Sequence, residues 1–305
     1  MTRHLLGCGA AAVLTIFTFA GTAQAQTEEV ATAALPTVSA SEAAYRVNLA
    51  GRQRMLSQRM AKSACLMASG IDTETHYDQM AKAFALFETS DMALRDGDPE
   101  RGLQPERYRR VLNALEKMDV AWGIYAPLIR TGVDARSMQV EDMTLVNSAS
   151  VEVLKLMNDA VNMTARAYGS VTPDVPLTLT ITVDVAGRQR MLTQRAVKQA
   201  CLLRVTDDPV GLAEALSSTI GIFDISLTAL RQGMAEVGVM AAPNAIVADK
   251  LAEVQTLWTP VKALLDRAAA GEALPDADLA KLAELSEPLL RTMNEAVGLY
   301  ETVGS

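Results

Sequence analysis

The sequence predicts an all-α fold: two tandem four-helix up-down bundles that form an internal pseudo-dimer. Three observations carry this. The 305-residue chain is 50% hydrophobic, enough to fill well-packed cores. Its two halves repeat: the offset of 136 residues from Gly51 to Gly187 also maps Cys65 onto Cys201, Phe87 onto Phe223, Gly97 onto Gly233, Trp122 onto Trp258 and Met157-Asn158 onto Met293-Asn294. Within each repeat, helix punctuation marks four amphipathic segments joined by short loops, the pattern of an up-down bundle.

Residues 1–25 read as a secretory signal peptide, with a short basic start (Arg3, His4), the apolar run "LLGCGAAAVLTIFTFAG" and a small-residue cleavage site at Ala23-Gln24-Ala25. The mature chain is then expected to begin at Gln26 and to be a soluble periplasmic protein. Cys8 sits at the start of the apolar run and not after it, which argues against a lipoprotein anchor, and no later run approaches the roughly 18 apolar residues that span a bilayer.

The first bundle is assigned to residues 39–170. A Ser39-x-x-Glu42 capping box opens its first helix and Gly97 closes its second. Pro105 opens a third that stops near Gly132, and a fourth runs to about Gly169. The joint is "SVTPDVP", around Pro173 and Pro176. The second bundle takes residues 177–305, with helix starts at Asp208-Pro209, Pro243 and Pro275 and stops at Gly233 and Gly271. One stretch resists: "LTLTITVDV", from Leu177, alternates with period two and is β-branched, so local propensity favours a strand. The repeat makes it the start of a helix.

Composition narrows the function. A formal net charge of −8, one unit more negative without Arg3, disfavours nucleic acid and anionic membrane surfaces as partners. The mature chain has one histidine, His76, and two cysteines, so zinc sites, c-type haem and histidine-dependent triads lack their residues. No enzyme activity and no cofactor are expected.

Basic character is local. "AGRQRMLSQRMAKSAC" begins at Ala50 and "AGRQRMLTQRAVKQAC" at Ala186. Taking alternate steps of four and three along the first helix gives Val47, Gly51, Arg54, Gln58, Ala61, Cys65 and Ala68, a seam of mostly small residues. The second repeat gives Val183, Gly187, Arg190, Gln194, Val197, Cys201 and Arg204. A separate apolar stripe, Leu49, Leu56, Met60 and Met67, should fill the bundle's own core. The seam then faces something else, most economically the matching helix of the other repeat.

The box "NLAGRQRMLSQRMAK" from Asn48 resembles the signature of the PilJ-type and NarX-like sensor domains, the periplasmic four-helix modules of pilus-associated chemotaxis transducers and bacterial nitrate sensors. In the nitrate sensors, two subunits each contribute one arginine to a single anion at the dimer axis. The resemblance implies Arg54 and Arg190 for that role, with Gly51 and Gly187 allowing close backbone approach, and Gln58 and Gln194 beside them on the seam. The second box arginines, Arg59 and Arg195, take a secondary place. The family's receptors carry transmembrane helices and a cytoplasmic output, so a signal from this chain is expected to pass to a membrane receptor or transporter component. The inner letters "RQRMLSQR" are closer to the PilJ-type version than to the nitrate-sensor version.

Physical chemistry favours an anion beside the resemblance. Two guanidinium groups about 6 Å apart repel by roughly 3 kcal/mol at an effective dielectric near 20, and an anion between them reverses the sign. Neither box holds an internal carboxylate, and Asp184 can pair with Arg188 at i,i+4 but lies on the wrong face to neutralise Arg190. A carboxylate from another helix, such as Glu152 or Asp159, would satisfy the arginines structurally instead. Arg52, Arg59, Lys62, Arg188, Arg195 and Lys198 project off the seam and read as a solvated or locally paired face. Trp122 and Trp258 read as core anchors, Asn158 and Asn294 as weak site candidates, and His76 as a surface residue.

The cysteines leave two alternatives. If the first helices of the two repeats run side by side, Cys65 faces Cys201 and an oxidising compartment favours a disulfide; if they splay beyond about 7 Å between Cα atoms, both stay free core residues. The function expected from all this is a sensor-type binding protein for a small inorganic oxyanion, nitrate or nitrite first, that reports to a membrane partner. The alternative is a helical interaction or scaffold module for a membrane sensor or pilus-chemotaxis system, with no small ligand.

Overall fold

The computed structural model describes residues 38–169 and 177–302. The signal-peptide segment, the Gln26 boundary and the Pro173/Pro176 joint lie outside the described residues.

Eight long helices carry the chain: α1 (Ala40–Ala68), α2 (Thr73–Asp96), α3 (Arg109–Ala135) and α4 (Met143–Gly169), then α5 (Leu177–Leu202), α6 (Pro209–Gln232), α7 (Ala245–Ala269) and α8 (Asp276–Glu301). Most ends follow the punctuation. Ser39 Oγ accepts the Glu42 N–H at 3.1 Å to start α1, and Asp208 accepts from Gly211 to start α6. Gly97 closes α2 with φ 85°, and a Cβ there would sit 2.5 Å from the Leu103 carbonyl oxygen. No other residue fits that turn. The isolated bridges Asp98–Leu103 and Met234–Val239 repeat at the same offset.

α3 departs from the expected bounds at both ends. It begins at Arg109, four residues beyond Pro105. Glu106 takes over this segment: its carboxylate accepts the backbone N–H groups of Arg107 and Tyr108 at 2.8 Å, and is held in turn by Arg46 and the Tyr168 hydroxyl. At the other end, Gly132 is an interior residue. α3 runs on to Ala135, and Arg136 ends it in the left-handed region at φ 52°. Gly132 serves packing, since a Cβ there would meet Met138 Sδ.

The strand-like "LTLTITVDV" is helical from Leu177. Thr182 Oγ1 returns a bond to the Thr178 carbonyl and accepts the Met240 N–H at 3.0 Å, so the β-branched residues are bound into the helix and its packing. Tertiary context decides here over propensity.

Within the bundles, α1 packs on α2 and α4, and α5 on α6 and α8; α1 and α5 pack on each other, which builds the pseudo-dimer. Trp122 stacks on Phe87 with centroids 4.0 Å apart, and Trp258 on Phe223 at 3.9 Å, so the repeat extends to the aromatic core. Cys65 and Cys201 form a disulfide with Cα atoms 6.2 Å apart.

Two expectations are corrected. His76 is buried, and burial, with the Lys62 charge second, pushes its pKa down to about 4. α6 is long and apolar enough to cross a membrane by length and composition, with a mean hydropathy of 1.4. Here it contributes Leu216, Ile220, Phe223 and Leu227 to the core while leaving Val210, Ile222 and Ile225 exposed.

Candidate functional site

The α1–α5 contact brings the two boxes together in parallel register, and the seam residues meet across it. Gly51 and Gly187 lack side chains where the guanidinium groups lie: a Cβ on Gly187 would stand 3.5 Å from Arg190 Nη2 and 3.9 Å from Arg54 Nη2. Both arginine tips therefore converge on one place. Both side chains are buried to about 2% exposure.

Each guanidinium is held by the same three kinds of contact. Arg54 donates from Nε to the Gly51 carbonyl, from Nη1 to Asn158 Oδ1 at 3.1 Å and from Nη2 to Asp184 Oδ1 at 2.8 Å. Arg190 donates from Nε to the Gly187 carbonyl, from Nη1 to Asn294 Oδ1 at 2.8 Å and from Nη2 to Asn48 Oδ1 at 2.7 Å. Asn48 and Asp184 are repeat mates, three residues before the two glycines. The axis thus has a twofold scaffold with one asymmetric letter, an amide on one side and a carboxylate on the other.

The carboxylate that satisfies an axis arginine comes from another helix, as the structural alternative has it, but it is Asp184 on Arg54 and not Glu152 or Asp159. Asp184 pairs with Arg188 at 2.5 Å, as its spacing requires, and also with Arg54 of the other repeat. Burial raises the Asp184 pKa, but Arg54 and then Arg188 outweigh it and hold the carboxyl below the ordinary range. Burial also lowers the Arg54 pKa, which the Asp184 charge opposes. Chemically, the axis is a donor-rich cradle for one anionic group, and Asp184 supplies that group from within.

The remaining site residues fall elsewhere. Gln58 and Gln194 are buried on the seam but bond away from the arginine tips: Gln58 Nε2 donates to the Ser150 carbonyl at 2.9 Å, and Gln194 Oε1 accepts from Arg59 Nη1 at 3.5 Å. Gln58 Oε1 and Gln194 Nε2 have no partner. Arg59 reaches Glu287 of α8 through two bonds, at 3.2 and 2.7 Å. Lys62 and Lys198 are not solvated, as the sequence reading has them, but fully buried. Lys62 meets Glu287 at 2.7 Å, while Lys198 meets the Ser150 hydroxyl at 3.1 Å.

Asn48 and Glu287 are the residues that sequence reasoning missed. Asn48 was visible in principle, since the repeat offset pairs it with Asp184 just before each box. Glu287 was hidden by that same filter, because its repeat mate is Val151.

Comparison with known proteins adds two findings. The sequence profile described as "type IV pili methyl-accepting chemotaxis transducer N-term" (PilJ) matches residues 37–147 and again residues 180–284. The methyl-accepting chemotaxis protein McpN of Pseudomonas aeruginosa is 35% identical over 121 residues, which cover 39% of this chain and 21% of that protein. The matched region therefore spans about a fifth of the relative's length.

Proposed function

Because the chain belongs to the PilJ family, in two consecutive copies that make it a signal-transduction sensor module, we propose that it acts in the periplasm as a helical interaction module for a membrane signalling partner of the chemotaxis or pilus-chemotaxis class. The observation that carries this reading is the closed axis. Arg54 is ion-paired to Asp184 and Arg190 is bonded to Asn48 and Asn294, so the pseudo-dimer is complete without a small ligand. Among the described residues, the outer face of α6 is one of the apolar surfaces left exposed, with Val210 at 69% and Ile225 at 61%. A partner helix laid on that face would bury it.

Photocrosslinking in intact cells from a reactive residue placed at Ile225 tests this. It should capture a membrane protein that carries its own helical sensor domain, and Ile222→Glu with Ile225→Glu should abolish capture. No adduct, or an adduct indifferent to the two charges, overturns the reading.

A second reading rests on the convergence of the two arginine tips at Gly187. It takes the axis as a site for a small oxyanion, nitrate or nitrite first, which enters by displacing Asp184 from Arg54. Calorimetric titration with nitrate should then give one anion per chain, with Arg54→Ala and Arg190→Ala each removing most of the affinity and the pair adding little, as expected of residues that act as one unit. Two anions per chain, or unchanged binding in the double variant, exclude it.

A further inference from the structure

The two boxes repeat not only the axis arginines but a second cationic pair, and the fold treats the copies unequally. Arg59 and Lys62 of the first box correspond to Arg195 and Lys198 of the second. In the first pair, both side chains close on Glu287 of α8, with bonds of 2.7 Å from Arg59 Nη2 and 2.7 Å from Lys62 Nζ. The repeat offset puts Val151 of α4 where that carboxylate would have to arise in the second. The α4 backbone and its neighbouring serine are in place: Ser150 Oγ donates to the Asn147 carbonyl and accepts from Lys198 Nζ at 3.1 Å. The acid is not. Among the described residues no carboxylate bonds Arg195 or Lys198, and Arg195 Nε is buried without a partner.

We propose that Arg195 and Lys198 form a binding site for a small organic carboxylate, which takes between them the place that Glu287 takes between Arg59 and Lys62. Glu287 shows what such a ligand must be: one carboxylate carried on a short aliphatic stem. An arginine fork and an ammonium side by side suit a carboxylate, because the fork fixes its plane and the ammonium adds a point charge.

A cleft opens one helical turn from the pair. In the first half, Glu287 lines a cleft together with Asp72, His76, Gln79 and Ala283. The offset maps the last four onto Asp208, Leu212, Ala215 and Asn147, and these line a second cleft, of ≈ 290 Å³. Leu202, one turn beyond Lys198 on α5, and Asn147, one turn before Val151 on α4, both line it. The cleft thus comes within one helical turn of Lys198 on α5 and of Val151 on α4. Leu212 and Ala215 stand where the first half has His76 and Gln79, so this wall is more apolar and suits a hydrocarbon stem. Independently, burial, and then the charge of Arg195, push the Lys198 pKa down to about 7, a cost that a bound carboxylate would relieve.

The site lies off the Arg54–Arg190 axis, so its test is separable from both readings of that axis. Titrate the full mature chain with propionate against chloride at equal ionic strength, by calorimetry. The wild type should bind one propionate per chain. Arg195→Gln should weaken it at least about tenfold, the loss of one charge-assisted contact. Val151→Glu, which supplies the missing tethered carboxylate, should abolish binding and raise the melting temperature. A wild type with no propionate signal beyond chloride overturns the proposal. So does a titration unaltered by Arg195→Gln, which decides the matter even if Val151→Glu does not fold.

Discussion

Replacing Lys198 by methionine should stabilise the protein at neutral pH, although it deletes a hydrogen bond. Lys198 is fully buried, and its pKa falls from an ordinary 10.5 to about 7. At pH 7 the unfolded chain keeps this ammonium fully protonated in water, while the folded chain holds it half-protonated against burial. At about 1.4 kcal/mol per pKa unit, the folded state loses about 4 kcal/mol through this group. Methionine has a similar stem and no charge, so that loss disappears. The Lys198–Ser150 bond goes with it, worth about 1 kcal/mol, and Ser150 keeps its bond to the Asn147 carbonyl. The net gain is about 3 kcal/mol, which in a domain of this size raises Tm by roughly 6–12 °C.

The pH dependence has a definite sign. The folded pKa lies below the unfolded one, so the penalty is full below pH 7 and is relieved as pH rises from about 7 towards 10.5, where the unfolded chain also loses the proton. Urea unfolding of Lys198→Met and wild type, run from pH 6 to pH 10 in carboxylate-free buffer, should show a difference that shrinks steadily with pH. A variant less stable than wild type at pH 7, or a difference that does not change with pH, refutes the reasoning.

Three further outcomes are expected. Asp184→Asn, which copies Asn48 across the axis, should cost about 3 kcal/mol by leaving Arg54 buried without its carboxylate, and thermal shift with nitrate should restore part of that loss if the axis takes anions. Cys65→Ala with Cys201→Ala opens a connection of 136 residues and should lower unfolding free energy by about 3–5 kcal/mol in denaturant titration, with reductant reproducing the effect in the wild type. Glu287 titrates at about 2, because Lys62 and Arg59 together outweigh the upward push of burial; its contribution is present above pH 4.5 and lost as pH falls through 2. Acid unfolding of Glu287→Gln should therefore be flatter than wild type across that window.

The architecture was legible because it is written redundantly. A repeat that carries glycines, tryptophans and cysteines at one offset, and caps such as Ser39 and Asp208, specify the helices several times over. The β-branched start of α5 shows the strength of that redundancy, since the repeat outvotes local propensity. What was not legible depends on contacts between distant elements. The start of α3 is displaced by Glu106, whose partner Arg46 lies on α1. The burial of Lys62 and Lys198 depends on α8 and α4 closing over them, which no helical wheel of α1 or α5 reveals. Arg54 and Arg190 could be placed on a shared face from spacing alone. Their partners could not, because Asp184 looks committed to Arg188 when only its own helix is considered.

The covalent link between α1 and α5 lies close to the ends of both helices, about 14 residues beyond Gly51 and Gly187, a lever arm of roughly 21 Å at 1.5 Å rise per residue. A bond there forbids the two helices from sliding past one another like pistons. What it leaves is rotation about the linked end, in the manner of scissors. Parting the glycines by 1 Å then takes a swing of only about 3° along that arm. Any signal that crosses this seam must travel as a change of angle between α1 and α5, largest at their N-terminal ends.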